Sequence, residues 1–525
     1  MKAGMMRGGI QALALWLAAG TAWGQAVATG TTPIDTASAE TATALPVSPQ
    51  YDANNPPEGV FDDEWAEVSI AGKKAGYAHE VLRRDGERVF TDMRMVMRIG
   101  RLANVVAIDE TDHTEETVDG RPLAFRSATS MASQPMVATG EGDGRTFNVT
   151  LQSGNYSEQR VVTLPAGTLM AWGVERQQRL EGLQPGTHYE LGVYSPADDL
   201  FKPLPTQVAV GAKESVRVRG NVVKATRVDE IVGGREGAGG VHEVMWVDDA
   251  GGNVKTLLPI GSFTVEITAA TPAEALADYL PADIFTASLI ELGQPVPVNA
   301  AAVTYDLKRR DGQPLPQPVD SSTERSEAMP DGSVKITLTR AGVAPAAKPL
   351  TTAELAPYLA KNSYMDTSDP ALRKLAAEAA GPAGAPPAEV AQRLRDFVSG
   401  YIYKKDYSVG FATASEVVKT REGDCTEHAV LLAALGRACG LPTRVVAGLA
   451  YLPEYQGRPA ILGYHMWAQF YINGQWVDYD AALPELAGPP RRLGLAASGL
   501  EDESVADFSL GLLGWMSGLE VTVEE

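Results

Sequence analysis

The chain has 525 residues, of which 44% are hydrophobic and 21% are charged. This composition is typical of a folded globular protein, and the length predicts about three domains because one domain usually takes about 100–200 residues. Acidic residues outnumber basic residues by 66 to 45, which gives a formal net charge of -21. A surface this acidic repels phosphate backbones, so we expect no nucleic-acid partner.

The chain has only two cysteines, Cys425 and Cys439. Two cysteines cannot crosslink a chain of this length as a disulfide scaffold, and they cannot provide the four thiolates of a structural zinc site. The His-Glu pairs at 79–80 and 242–243 lack the second histidine that a zinc-protease helix requires. Neither a phosphate-binding loop nor a Gly-x-Ser-x-Gly motif occurs, so we predict a protein that uses no metal and no cofactor.

Residues 1–24 have the composition of an export signal. Lys2 and Arg7 precede an apolar stretch over 10–19, and small residues just before Gln25 favour cleavage there. The apolar stretch has about ten residues, whereas a membrane-spanning helix needs about 20. We therefore predict an exported protein without an integral membrane span, periplasmic in a host with two membranes and secreted in a host with one. An uncleaved anchor is the alternative.

The rest of the chain is predicted to start with a linker and an antiparallel sheet. Residues 25–60 are rich in Ala, Thr, Pro and Ser, which is typical of a flexible linker. Residues 61–270 alternate in short runs between turns such as Asp85-Gly86, which predicts an antiparallel sheet that is curled or stacked on itself. A smaller β-rich domain over 271–345, a largely helical domain that holds both cysteines over 346–490 and a C-terminal extension over 491–525 follow.

A buried helix is predicted from Cys425 to about Cys439. Asp424 and Glu427 form a capping-box pattern before an apolar run, and Gly440 is well placed to end the helix. Cys425 is then the first helical residue, where unpaired backbone amides and the helix dipole lower the pKa of the thiol. At ~1.5 Å per residue the two cysteines lie about 21 Å apart, which is too far for a disulfide.

A β-hairpin is predicted around the two-residue turn Asn473-Gly474. The register that this turn sets puts His465 diagonally across from Asp480 on one face of the hairpin. Asp478 lies on the same face, but about 6–7 Å further along the strand. The register therefore favours Asp480 as the partner of His465; the alternative is that both carboxylates lie on the surface.

His428 is a second histidine that can reach the thiol. It follows Cys425 by three residues on the predicted helix, and helical side chains lean toward the N-terminus. However, His428 has no carboxylate placed as Asp480 is placed for His465. We therefore expect His465 to act as the base and His428 to have a structural role beside the site.

Three segments resemble motifs of the transglutaminase-like superfamily. They are the nucleophile motif over 421–429, a His-x-Trp motif over 465–467 and a Trp-x-x-x-Asp motif over 476–480. The resemblance covers about residues 388–485, under a fifth of the chain. Residues 481–482 are Ala-Ala where many members have Pro-Thr, a difference that affects the local turn and leaves the three motifs intact.

The resemblance implies an α+β protein in which a papain-like transglutaminase core follows antiparallel β-rich domains. In such a core, the nucleophile helix packs on an antiparallel sheet. The resemblance further implies that Cys425 attacks an amide carbonyl, that His465 transfers the proton and that Asp480 orients His465. The backbone amide of Cys425 is suited to stabilise the oxyanion, and Tyr407 is a candidate for a second donor.

Three functions remain open at this point. The first is hydrolysis of an amide bond in a protein or peptide substrate, through an acyl-thioester that water resolves; the resemblance to exported bacterial members favours it. The second is acyl transfer, in which an amine resolves the same thioester as in a true transglutaminase. The third is a non-catalytic binding module, which is disfavoured because all three triad residues are present.

Overall fold

The structure is a computed structural model, and it describes residues 45–101, 104–233, 240–260, 263–281, 283, 288–297, 300–310, 312–340, 349–405, 409–483, 491–503, 505–516 and 518–524. The predicted export signal and Tyr407 lie outside these residues. Residues 45–58 form no helix or strand, but Tyr51 is held against the protein, since its hydroxyl donates to Glu175 at 2.9 Å.

Fifteen strands within the described residues form the first sheet. Two meanders, β1 to β8 and β15 back to β9, meet where β1 pairs antiparallel with β15; only β9 and β10 run parallel to each other. Helix α1 (Ala171–Glu181) lies between β9 and β10, and α2 (Pro272–Ala275) follows β15. The strands are β1 Gly59–Ile70, β2 Lys73–Asp85, β3 Arg88–Arg101, β4 Asn104–Thr117, β5 Pro122–Ser130, β6 Met136–Gly142, β7 Thr146–Ser153, β8 Tyr156–Thr163, β9 Thr168–Leu169, β10 His188–Val193, β11 Leu204–Val218, β12 Asn221–Val232, β13 Val241–Val247, β14 Asn253–Ile260 and β15 Phe263–Ala270.

The sequence pattern explains this sheet locally. Along β3 the apolar side chains alternate with charged ones, and burial alternates with them, as expected for a sheet with one covered face. Gly86, in the predicted turn after β2, has φ of +58°, a conformation that glycine adopts without strain. The strands extend beyond their apolar residues: β4 has apolar residues over 105–108 and continues through charged residues to Thr117.

Two smaller sheets follow. One has the order β16-β21-β20-β23, with β22 also paired to β21, and the other has the order β18-β19-β17-β24. Residues 491–525 thus contribute one strand to each of these sheets. The strands are β16 Ile290–Glu291, β17 Ala302–Arg309, β18 Glu324–Ala328, β19 Val334–Thr339, β20 Thr443–Tyr455, β21 Arg458–Ile472, β22 Gln475–Tyr479, β23 Arg492–Ser498 and β24 Leu519–Val523.

Helices pack on the sheet that contains β20 and β21. The helix that begins at Cys425, α7, contacts both of these strands and three of its helical neighbours. The first helix of this region, Thr352–Leu355, is a single turn followed by a 3-10 turn at Pro357–Leu359, because a proline has no amide hydrogen to continue α-helical bonding. The helices are α3 Thr352–Leu355, α4 Pro370–Ala380, α5 Pro387–Tyr401, α6 Ala414–Thr420, α7 Cys425–Ala438 and α8 Val505–Met516.

One apolar core connects the first sheet with α7. It contains buried residues of β3 and β4, such as Ile99 and Val106, together with Val430 of α7 and Ile336 of the third sheet. The N-terminal sheet therefore packs directly against the part of the chain that holds both cysteines. This packing brings residues of β3 close to the start of α7.

Candidate active site

Cys425 is the first residue of α7, as the capping pattern predicted. The Asp424 carboxylate accepts a hydrogen bond from the Thr426 amide at 3.1 Å, and the Glu427 carboxyl accepts one from the Asp424 amide at 2.9 Å. The side chain of Cys425 is fully buried. The helix start therefore places the thiol next to backbone amides whose partial positive charge stabilises a thiolate.

Gly423 permits the sharp bend that leads into this helix. Its φ is +148°, a value that side-chain-bearing residues rarely adopt. A Cβ at this position would lie 2.2 Å from the Cβ of Glu427, so a larger residue would displace the side chain that completes the cap. The backbone bend and the close contact with Glu427 therefore explain why a glycine precedes Asp424 and Cys425.

His465 and Asp480 lie in contact on the sheet that α7 covers. The hairpin pairs Ile472 with Gln475, which is the register predicted from the turn, and His465 Nε2 lies 2.9 Å from Asp480 Oδ2. Both side chains are buried. Since His465 is on β21 and α7 packs on β21, the helix of the thiol and the strand of the imidazole adjoin.

Several groups keep the Asp480 carboxylate charged. Burial raises the pKa of Asp480, but the charge and hydrogen bond of His465, the guanidinium of Arg492 and a backbone amide together hold it well below its usual range. The amides of Ala482 and Leu483 donate to Oδ1 at 2.9 and 3.1 Å, and Arg492 lies 3.2 Å from Oδ2. An ionised Asp480 accepts a hydrogen bond, so His465 Nε2 carries a proton.

The other ring nitrogen of His465 is available for chemistry. Nδ1 is buried and has no hydrogen-bond partner within the described part of the chain. In a neutral imidazole whose Nε2 donates to Asp480, Nδ1 carries the lone pair. The ring of Trp467 stacks near the imidazole, at 6.0 Å between centroids and 23° between planes, and limits its rotation.

Asp478 serves a different purpose. Its Oδ1 accepts hydrogen bonds from the Trp467 indole at 2.6 Å and the Gln469 amide at 2.8 Å, and its Oδ2 accepts them from Ser321 and Thr323 at 3.1 and 3.0 Å. The carboxylate therefore joins the hairpin to the strand region before β18. Its bond to Trp467 also helps to fix the ring that stacks on His465.

His428 is bound to the backbone of its own helix. Its Nδ1 donates to the carbonyl of Asp424, and its Nε2 is buried without a hydrogen-bond partner among the described residues. Burial lowers the pKa of His428 to about 4, an effect that the Asp424 carbonyl only partly offsets. His428 is therefore neutral near pH 7.

Glu427 also departs from its ordinary behaviour. Burial and the neighbouring Asp424 raise the pKa of Glu427 to about 8, against hydrogen bonds from the amides of Ala412 and Asp424. Glu427 is therefore harder to ionise than an ordinary glutamate. The other carboxyl group at the start of α7 is that of Asp424, and Arg101 of β3 pairs with it at 2.7 Å.

Comparison with known proteins assigns part of the chain to a family. Residues 373–481 match the family model of the transglutaminase-like superfamily. This segment is a transglutaminase-like domain. The chain matches no curated protein. The match bears out the predicted class, an α+β protein whose antiparallel β-rich sheets precede a transglutaminase-like core.

Solved structures show distant likeness to parts of the chain. A candidate cysteine protease from Cytophaga hutchinsonii is 15% identical, with a TM-score of 0.26 over 43% of this chain and 84% of that one. A β-barrel-like protein from Brucella abortus is 14% identical, with a TM-score of 0.31 over 40% and 95%. The periplasmic domain of TgpA from Pseudomonas aeruginosa is 16% identical, with a TM-score of 0.27 over 43% and 81%.

Three arginines at the transglutaminase-like site were not foreseen. Arg101 pairs with Asp424, Arg492 pairs with Asp480, and the Arg395 side chain donates to the backbone carbonyl of Asp480 at 2.7 Å. They come from β3, β23 and α5, outside the three motifs. No local pattern marks them, because a lone arginine in a strand or helix is usually a surface residue.

Further observations concern the second cysteine and the rest of the described residues. Cys439 caps the end of α7 and is half-buried, and no disulfide joins it to Cys425. Within the described ranges, no group of three or more His, Cys, Asp or Glu residues is arranged to hold a metal ion. Within the same ranges, no helix is long and apolar enough to cross a membrane. The candidate oxyanion donor Tyr407 lies outside the described residues.

Proposed function

We propose that the transglutaminase-like domain is a cysteine-dependent hydrolase of amide bonds in proteins or peptides. Cys425 is the nucleophile, His465 the base and Asp480 the residue that orients His465. The observation that carries the proposal is the buried His465–Asp480 pair on the strand against which the Cys425 helix packs. The family match supports a cysteine-dependent hydrolase or acyltransferase in general, and the roles of single residues are part of the proposal.

In the first half of the reaction, the Cys425 thiol gives its proton to His465 Nδ1. The resulting thiolate forms a bond to the carbonyl carbon of the substrate amide, and the carbonyl oxygen takes the negative charge. When the tetrahedral intermediate collapses, the carbon–nitrogen bond breaks and the imidazolium of His465 protonates the departing amine. Asp480, kept ionised by its neighbours, stabilises the imidazolium during this step.

In the second half, water resolves the thioester. His465 Nδ1 takes a proton from the water, whose oxygen bonds to the acyl carbon. The carbon–sulfur bond then breaks and the imidazolium of His465 returns its proton to the sulfur, which releases a carboxylic acid and regenerates the thiol. The backbone amide of Cys425, at the start of α7, is the candidate donor to the oxyanion in both halves because helix N-terminal amides have no partner within the helix.

The same thioester can also be resolved by an amine, which would be acyl transfer. The two reactions share every step up to the thioester and differ only in the nucleophile that reaches it. The export signal predicted over residues 1–24 would place either reaction outside the cytoplasm. Mass spectrometry of the mature protein's N-terminus tests that part of the proposal, with Gln25 expected as the first residue.

The function is tested by supplying both resolving nucleophiles. Wild-type protein is incubated with a library of glutamine-containing peptides and a labelled primary amine, beside Cys425→Ala and Cys439→Ala variants. Hydrolysis predicts amide cleavage or ammonia release without incorporation of the label, lost in Cys425→Ala and kept in Cys439→Ala.

The other outcomes separate the alternatives. Incorporation of the labelled amine would identify the protein as an acyltransferase. If neither cleavage nor incorporation occurs, or if the Cys425→Ala variant stays active, the proposed chemistry is wrong. A binding module would retain peptides without changing their mass.

A further inference from the structure

Arg101 connects the N-terminal sheet to the start of the nucleophile helix. It is the last residue of β3, and its long side chain is fully buried. Its guanidinium lies 2.7 Å from Asp424 Oδ2 and donates to the backbone carbonyl of Val409 at 3.1 Å. A residue 324 positions before Cys425 in the sequence is thus placed beside the residue that precedes the thiol.

Asp424 uses both oxygens in this arrangement. Oδ1 accepts from the amide of Thr426 at 3.1 Å and from its hydroxyl at 2.8 Å, and these bonds cap the helix. Oδ2 pairs with Arg101. Capping alone needs only the first oxygen, and an asparagine would provide it equally well. The ion pair therefore does something that the cap does not require.

We propose that Arg101 is a positioning residue for the nucleophile: by neutralising the Asp424 carboxylate, it lets the Cys425 thiolate form, and the N-terminal sheet is thereby part of the active site. The inference rests on the proposed function, in which Cys425 is the nucleophile. It gives the N-terminal sheet a role in catalysis through a single buried charge.

Arg101 matters for the thiolate because two negative charges repel each other strongly when both are buried. An unpaired Asp424 carboxylate one residue from Cys425 would oppose formation of a thiolate, while a paired carboxylate contributes little net field. Burial and Asp424 raise the pKa of Glu427, so this second carboxyl group ionises less readily than an ordinary glutamate. Other titratable and charged groups near the helix start are His428 on α7, Lys405 before α6, His465 on β21, Asp480 after β22, Arg492 on β23 and the Lys404–Glu422 ion pair just before α7.

The experiment measures the Cys425 thiolate directly. Its ultraviolet absorbance is titrated against pH, with the Cys425→Ser spectrum subtracted, so that no substrate and no access to the buried thiol are needed. Three variants change the charges one at a time and together: Arg101→Met, Asp424→Asn and the double variant. In each variant, the side chain at position 424 retains the oxygen that caps the helix, because aspartate and asparagine both carry it.

The midpoint of the Cys425 titration should shift according to the charge that each variant leaves beside the thiol. Arg101→Met leaves a buried carboxylate and raises the midpoint by about one pH unit, which at a fixed lower pH reduces kcat/KM about tenfold. Asp424→Asn leaves a buried guanidinium and lowers the midpoint. The double variant returns it close to wild type, because neither charge remains.

Two controls separate charge from packing. Arg101→Lys keeps the charge and is expected to keep the midpoint, although a lysine does not reproduce the guanidinium geometry. Ser133→Ala removes a hydrogen bond to Glu416 at the same interface between the N-terminal sheet and the catalytic helices, and is expected to leave the midpoint unchanged.

An unshifted midpoint in folded Arg101→Met would overturn the inference. A raised midpoint in Asp424→Asn would also overturn it. If Arg101→Met does not fold, Asp424→Asn and the double variant still decide the question. A wild-type protein that forms the thiolate but hydrolyses no amide would contradict the proposed function alone.

Discussion

The start of α7 and the hairpin of β21 and β22 each hold a buried histidine, and the two histidines have different partners. His428 donates to a backbone carbonyl, and its pKa is lowered to about 4. His465 donates to Asp480, a carboxylate that its neighbours keep ionised. Both histidines have one buried ring nitrogen without a hydrogen-bond partner in the described residues.

The comparison shows that burial and a free nitrogen do not make a base. A histidine must also be able to hold a positive charge after it takes the proton of the thiol. The carbonyl beside His428 offers a partial negative charge, whereas Asp480 offers a full one. On the proposed mechanism, the partner on the far side of the ring therefore favours His465 over His428 as the base for Cys425.

The largest difference in kcat is expected between variants of the two histidines. His465→Ala removes the base, so we expect kcat to fall by about 10³-fold, within the range known for general bases. His428→Ala removes a buried side chain, and we expect kcat to fall less than about tenfold in protein that remains folded. Steady-state kinetics on a peptide substrate measure both, with circular dichroism as the check on folding. Inactivity of His428→Ala beside an active His465→Ala would reverse our assignment.

The two aspartates of the hairpin give the next comparison. Asp480→Asn replaces the charge that stabilises the imidazolium, and we expect kcat to fall by about 10²-fold or more. Asp478→Asn weakens hydrogen bonds to Trp467, Gln469 and the segment before β18, so its main effect should be a lower melting temperature. Kinetics and thermal unfolding of both variants test this division. Equal losses of kcat in the two variants would contradict it.

The pKa of His428 predicts an acid-sensitive stability. Its pKa is about 4 in the folded state, against 6.5 for an unperturbed histidine, so the unfolded chain takes up the proton first as pH falls. Stability that is complete above pH 6.5 should decrease by about 3 kcal/mol on the way to pH 4. Urea unfolding at several pH values measures this slope. In His428→Asn the decrease between pH 6.5 and 4 should be smaller by that amount, and an unchanged slope would argue against a neutral, buried His428.

The smallest effect is expected for a variant of Cys439, the cysteine at the far end of α7 from Cys425. Cys439 is half-buried at the C-terminal end, where burial raises the pKa of its thiol. Cys439→Ala should change kcat/KM less than about twofold and the free energy of unfolding by less than about 1 kcal/mol. The same peptide assay and urea unfolding measure both quantities. A large loss of activity would mean that the two cysteines do not differ in role as we propose.

Local rules explain most of what the sequence revealed. The capping pair Asp424 and Glu427 fixed the first residue of α7, and the turn at 473–474 fixed the pairing of Ile472 with Gln475. These features involve neighbours in sequence, whose geometry follows from backbone hydrogen bonding. The contact between His465 and Asp480 could be predicted because the hairpin register determines it.

Contacts between distant segments could not be predicted in this way. Arg101 reaches Asp424 only because the N-terminal sheet packs on α7, and Arg492 reaches Asp480 only because β23 pairs with β20. The order of strands in a sheet is set by the whole core, and no short pattern records it. For the same reason, the sequence did not indicate that β24 would complete the sheet of β17, β18 and β19.

The central claim is that Cys425 carries the acyl group and His465 serves it. The most direct measurement is to quench the wild-type protein in acid during turnover of a reactive peptide and to map the bound acyl group by mass spectrometry. We predict an acyl adduct on the peptide that contains Cys425, none on the peptide that contains Cys439, and strongly reduced adduct in His465→Ala but not in His428→Ala. Amide cleavage without an adduct on Cys425, or an adduct on another residue, would contradict the account.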